Sequence, residues 1–142
     1  MTTSPATTPA PWPLGPGLEK ALTGLDQAGV CLLAGVEGSA RAFALARAWL
    51  ARPATWLVVC PTLQTAEHLT RDLEFFLAGQ SGGQSPVRLY PAYEVSPYDD
   101  MSPPPEVVAR RLAVLWELIA EERPLVVVTA ARNGLWANAE RT

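Results

Sequence analysis

Short, largely apolar runs alternate along the chain with longer segments in which apolar residues recur every three to four positions. The runs occupy residues 30–34, 55–60, 86–90 and 125–129. Such runs, rich in β-branched residues, are typical of strands buried on both faces of a parallel sheet. The longer segments have the period of amphipathic helices. Alternating strands and helices predict βαβ units and an α/β fold with a parallel sheet flanked by helices.

Three of the longer segments predict helices of three to four turns. The first begins at Ser39, a residue suited to an N-cap, and ends before Pro53. The second follows residues 61–62, and the third extends from Glu106 to about residue 121. The residues predicted to face the core are Phe43, Ala46, Trp49 and Leu50 in the first helix, Ala66, Leu69, Leu73 and Phe76 in the second, and Val108, Leu112, Leu115 and Ile119 in the third.

The two ends of the chain differ from this pattern. Residues 1–17 alternate proline with small polar residues and predict a disordered leader. A short helix is expected within residues 18–25 and a turn at 26–29. The domain is predicted to extend over residues 18–132, followed by an atypical or truncated tail at 133–142.

The turn after the first run has the outline of a phosphate-binding loop. Gly35 fills the first position of the pattern G-x-x-x-x-G-K-[ST], but Ala40, Arg41 and Ala42 stand where the second glycine, the lysine and the hydroxyl residue belong. Ala42 cannot ligate Mg²⁺, and Arg41 differs in shape from the lysine that contacts phosphate. We therefore expect a structural remnant of a nucleotide site, with weak contact of an anion to the loop amides left open. The remnant comprises Gly35, Gly38, Ser39, Ala40, Arg41 and Ala42.

Groups for catalysis or metal binding are sparse. Phosphoryl transfer requires a metal-holding acid at the end of a strand, and no Asp-Glu pair follows an apolar run. The single histidine, His68, lies on the polar side of the second predicted helix, and Cys31 and Cys60 lie within apolar runs that predict buried thiols. No catalytic residue, metal site or cofactor is predicted for this chain.

Charge and hydropathy limit the partners. The net charge is −3 and the eleven basic residues are scattered, so no strong autonomous nucleic-acid binding is expected. No run reaches the roughly 18 apolar residues of a membrane span, and no signal peptide is visible, so a cytoplasmic location without a membrane partner is expected.

A second informative stretch is the long connection at residues 91–105, rich in proline, tyrosine and aspartate. Tyrosines interleaved with prolines could stack on bases, but two adjacent acids and a single nearby arginine favour packing or a protein contact. The candidate interaction residues are Tyr90, Tyr93, Tyr98 and Asp99.

Residues 35–42, 57–69, 90–99 and 102–112 together resemble the N-terminus of bacterial transcription-repair coupling factors. The resemblance implies an incomplete RecA-like lobe, similar to the damage-recognition subunit UvrB but without ATP hydrolysis. It implies that the full-length protein is an ATP-driven DNA translocase that displaces stalled RNA polymerase and recruits nucleotide excision repair through UvrA. ATP and Mg²⁺ would then bind at a motor further along that protein.

Two other functions remain open at this point. One is an ATP-binding helicase or ATPase lobe in which Arg41 replaces the lysine, and the other is a stand-alone adaptor that binds a protein through the tyrosine loop. The sequence after Arg132 departs from the family's pattern, and we expect a fragment, a truncated gene or a frameshifted end.

Overall fold

The computed structural model describes residues 15–78, 84–92, 103–120 and 123–131. Within these ranges the chain forms four helices and three strands. In chain order they are α1 (Pro16–Ala28), α2 (Ser39–Ala51), β1 (Trp56–Cys60), α3 (Leu63–Leu77), β2 (Val87–Tyr90), α4 (Pro105–Ala120) and β3 (Val126–Ala130).

The three strands form one parallel sheet in the order β1-β3-β2. Val126 of β3 is in register with Trp56 on one side and with Val87 on the other. The strand that comes last in the described chain thus lies between the two earlier ones. This arrangement confirms the predicted α/β class and is consistent with an incomplete RecA-like fold.

Helices cover both faces of the sheet. On one face, α2 and α3 pack against alternate side chains of all three strands and form the main core. Its most deeply buried residues include Leu73, Leu77, Val87, Val126 and Val128. On the other face, α4 contributes Val114 to a smaller cluster with Leu125, Val127 and Tyr90.

Local hydrogen bonds set the ends of the helices around β1. The side chain of Thr62 caps α3 by accepting a hydrogen bond from the Thr65 N–H at 3.2 Å, which satisfies one of the free amides of the first turn. The indole of the buried Trp49 donates to the Ala54 carbonyl at 2.8 Å and ties the end of α2 to the segment entering β1. The packing of α3 follows the prediction, with Ala66 and Leu73 buried in the core.

The predicted strand at residues 30–34 is wrong. The segment forms neither a helix nor a strand, and Val30 and Leu32 are 80% and 91% exposed. Cys31, expected to be buried, is exposed as well. An apolar run becomes a strand only when another strand satisfies its backbone groups, and none of the three strands in the described ranges pairs with these residues.

The predicted core side of the third helix is also wrong. Helix α4 begins at Pro105, one residue before the predicted start. Leu112, Leu115 and Ile119 are exposed, Val108 is half-buried, and Val114 is buried instead. The face of α4 that meets the sheet carries Glu117, which forms an ion pair with Arg88 of β2, and Val114, which packs with Leu125 and Val127. Because α4 is apolar around most of its circumference, periodicity alone does not select the face.

Smaller differences concern the first part of the chain. Helix α1 begins at Pro16, inside the stretch predicted as leader, and extends to Ala28, inside the predicted turn. Gly38, not Ser39, occupies the N-cap position of α2. Residues 1–14 and 132–142 lie outside the described residues.

Candidate functional site

The turn predicted to be a remnant of a phosphate-binding loop connects residues 30–34 to α2. Gly35 and Gly38 have φ values of 75° and 55°, in the left-handed region that favours glycine. These two glycines therefore make the turn that the sequence pattern indicates. The turn delivers the chain directly into the first residues of α2.

Two loop amides that a phosphate could use are already bonded within the loop. The Ala40 N–H donates to the Glu37 carbonyl and the Arg41 N–H to the Gly38 carbonyl, each at 3.2 Å. Anion binding at a helix N-terminus relies on amides that have no intrahelical partner. The loop thus satisfies part of its own hydrogen-bonding capacity.

The two residues that differ from the phosphate-loop pattern, Arg41 and Ala42, make structural contacts. The Arg41 Nε donates to the Val36 carbonyl at 3.1 Å and braces the turn. Ala42 is fully buried in the main core with Ala46 and Trp49. A side chain in that position packs α2 against the sheet, and its methyl group offers no ligand for a cation.

Arg41 also lies close enough to Cys60, at the end of β1, to affect the thiol. Burial raises the pKa of Cys60, and the positive charge of Arg41 offsets part of this rise. The net effect keeps the thiol protonated to a higher pH than usual. A buried thiol of raised pKa suits a core position and not a nucleophile.

The carboxyl ends of β2 and β3 hold the start of the tyrosine loop. The Thr129 hydroxyl donates to the Tyr90 carbonyl at 2.9 Å. Arg111 of α4 donates from Nη1 to the Pro91 carbonyl at 2.7 Å, and its guanidinium carbon lies 4.1 Å from the centroid of the Tyr90 ring. Tyr90 is thereby fixed by a cation–π contact and a neighbouring strand.

Of the four candidate interaction residues, the structure describes one. Tyr90 is half-buried and held in the fold, whereas Tyr93, Tyr98 and Asp99 lie outside the described residues. Arg111 and Thr129 were not predicted to position this loop. Arg111 lies in residues 102–112, one of the stretches that resemble transcription-repair coupling factors, but no spacing in the sequence indicates its contact with Pro91.

Other chemistry is limited in the described part of the chain. His68 is exposed on α3, as its position on the polar side predicts. Within residues 15–78, 84–92, 103–120 and 123–131, no group of three or more His, Cys, Asp or Glu side chains is placed to hold a metal ion. In those same ranges no helix has the length and apolar character needed to cross a bilayer.

Comparison with known proteins shows a similarity over part of the chain. No family model matches the chain. It is 41% identical over 85 residues to the transcription-repair-coupling factor of Myxococcus xanthus. The aligned region covers 59% of this chain but only 7% of that protein, so the chain corresponds to a small part of its relative. For the matched part, this similarity supports the resemblance to transcription-repair coupling factors that the motifs indicate.

Proposed function

We propose that the chain acts as a non-hydrolytic, RecA-like lobe of a transcription-repair coupling factor, with a scaffolding and regulatory role. The similarity to the Myxococcus xanthus protein supports the family. The parallel sheet with helices on both faces supports the kind of lobe.

The proposal that the lobe does not hydrolyse ATP rests on the structural contacts of two loop residues. Arg41 braces the Val36 carbonyl, and Ala42 is buried in the core. A working phosphate loop needs a cation directed at the β and γ phosphates and a hydroxyl on Mg²⁺. Both positions serve the packing of the loop and α2 in this chain.

In this proposal the lobe belongs to a larger ATP-driven DNA translocase. That protein would displace stalled RNA polymerase and recruit excision repair through UvrA. ATP and Mg²⁺ would bind at a motor elsewhere in the protein, and the acidic chain itself, with its scattered arginines, would not bind DNA strongly.

Calorimetric titration with Mg-ATP tests the loop. We expect no binding heat up to about 1 mM nucleotide, because Arg41 and Ala42 are engaged in packing. A dissociation constant above about 1 mM corresponds to a binding free energy less favourable than about −4 kcal/mol. The Arg41→Ala variant removes the arginine of the loop and tests whether it contacts the nucleotide. Its matched control, Arg71→Ala, removes an exposed arginine from α3. Micromolar binding that Arg41→Ala abolishes and Arg71→Ala preserves would establish an ATP-binding lobe in which arginine replaces the lysine, and would overturn the proposal.

A further inference from the structure

Helix α4 covers only part of its face of the sheet. Glu117 of the helix pairs with Arg88 of β2, and Val114 packs with Val127 of β3. Strand β1 lies on the far side of β3, two strand spacings or roughly 10 Å from β2. Packed helices lie about 8–10 Å apart. Beside α4, this face of the sheet therefore has the width for one more helix.

The part of β1 beside α4 is apolar and exposed. Leu57 is in register with Val127, so its side chain is on the α4 face of the sheet. Val59 follows two residues later and points to the same face. Leu57 and Val59 are 68% and 57% exposed, so none of the described helices covers them. We call these two side chains the β1 strip.

The outer face of α4, which is turned away from the sheet, is also apolar. Its residues recur at positions i, i+3, i+4, i+7, i+10 and i+11, which form one stripe along a helix. This outer face consists of Ala109, Leu112, Ala113, Trp116, Ile119 and Ala120, all of which are exposed. Trp116 and Ile119 are 70% and 83% exposed. One side of the molecule thus presents a protruding apolar helix next to an uncovered apolar strip.

Leu115 connects these two surfaces. It lies about 160° around the helix axis from Glu117, which is on the side of β2, so Leu115 is on the side of β1, where it is 42% exposed. The outer face, Leu115 and the β1 strip together expose apolar surface on the order of 800 Å², about what each partner contributes to a standard protein–protein interface. The largest apolar patch of a typical monomer is about 300–600 Å².

We propose that this side of the sheet is a self-association surface whose occupant is a second copy of the chain. A two-fold axis along the helices places α4 of each copy over the β1 strip of the other. The two α4 helices then lie side by side between the two sheets, with Leu115 of each copy near the axis. A second copy fits because the helix and the strip are neighbours on one molecule, as a self-complementary two-fold interface requires.

Pairing through this surface is weak and reversible. Loss of rigid-body freedom and ordering of side chains offset much of the gain from apolar burial, so we expect a dissociation constant on the order of 100 μM. The chain is then monomeric at the low-micromolar concentrations of a denaturation experiment. The pairing covers one face of β1 and leaves the backbone groups at its edge open. It does not involve Arg41 or Ala42, so the Mg-ATP titration and this proposal fail independently.

Sedimentation equilibrium of the 142-residue chain tests the surface. We expect a monomer–dimer equilibrium that Trp116→Glu, on the outer face of α4, and Leu57→Glu, in the β1 strip, each weaken at least tenfold, because each buries an unpaired charge in the interface. The matched control is Phe75→Glu. Phe75 lies on α3, against the other face of the sheet, and is 70% exposed like Trp116, so this variant should dimerise as the wild type does. Thermal melting checks that each variant is folded.

Four results would overturn the surface. They are a chain that stays monomeric up to about 1 mM, dimerisation that Trp116→Glu leaves unchanged, dimerisation that Leu57→Glu leaves unchanged, and equal weakening by Phe75→Glu, which would indicate unspecific apolar association. Growth beyond dimers would contradict it as well, because a two-fold interface closes at two copies.

Discussion

The two faces of the sheet are covered to different extents. Helices α2 and α3 pack across all three strands on one face, whereas α4 covers β2 and β3 on the other and leaves Leu57 and Val59 of β1 accessible. Strands β1 and β3 are similarly apolar, so their composition does not explain why β1 is less covered than β3. Burial of an apolar strand depends on whether the chain supplies a neighbour for each edge and face.

The largest effect should separate a packed leucine from an exposed one. Leu73→Ala on α3 removes a side chain that is 1% exposed, and we expect the free energy of unfolding to fall by about 2–5 kcal/mol. Leu112→Ala on α4, where the leucine is 60% exposed, should change it by no more than about 0.5 kcal/mol. Chemical denaturation of both variants measures the contrast. Equal losses of stability in the two variants would mean that Leu112 is packed as closely as Leu73 and that the two faces are alike.

The two cysteines offer a chemical version of the same contrast. Cys31 lies in the exposed segment and Cys60 in the main core. Since burial also raises the pKa of Cys60, a smaller fraction of its thiol ionises at a given pH. Alkylation with iodoacetamide at mildly alkaline pH should modify Cys31 at least about ten times faster in the folded chain, a ratio equivalent to about 1.4 kcal/mol. Denaturant should abolish the difference, and equal rates without denaturant would contradict the burial of Cys60.

A smaller effect is expected from the ion pair that joins α4 to β2. The Arg88 Nε lies 2.6 Å from the Glu117 carboxylate, with both side chains about one quarter exposed. Glu117→Gln should lower the free energy of unfolding by about 1 kcal/mol, since partial exposure screens the pair. Glu74→Gln, on the exposed side of α3, is the control and should have almost no effect. If Glu117→Gln is also neutral, the pair does not determine which face of α4 meets the sheet.

The sequence predicts where helices and strands form better than it predicts which elements pair or pack with each other. Helix α3 forms where local periodicity and turn residues predict it, and the strands predicted at 55–60 and 125–129 form at 56–60 and 126–130. The strand at 30–34 fails because a ladder requires a partner, and the partner is not a property of the run itself. The prediction of the buried face of α4 fails because that face depends on tertiary contacts. One of them is the ion pair of Arg88 with Glu117, which are 29 residues apart and are joined by no spacing rule.

The candidate site shows a similar division. The sequence shows Arg41 and Ala42 where the phosphate-loop pattern has a lysine and a hydroxyl residue, and the glycine turn follows from Gly35 and Gly38. The contacts made around these residues are tertiary. The bond from Arg41 to the Val36 carbonyl and the clamp of Arg111 on Pro91 depend on how the helices sit on the sheet.

Amide exchange along β1, followed by NMR in the free chain, tests the asymmetry of the sheet most directly. We expect Trp56 and Val58, whose amides point at β3, to exchange at least about a hundred times more slowly than Leu57 and Val59, whose amides point away from β3. Alternation of slow and fast exchange would establish β1 as an open edge. Uniform protection of all four amides would show that the edge is already covered and would contradict the account.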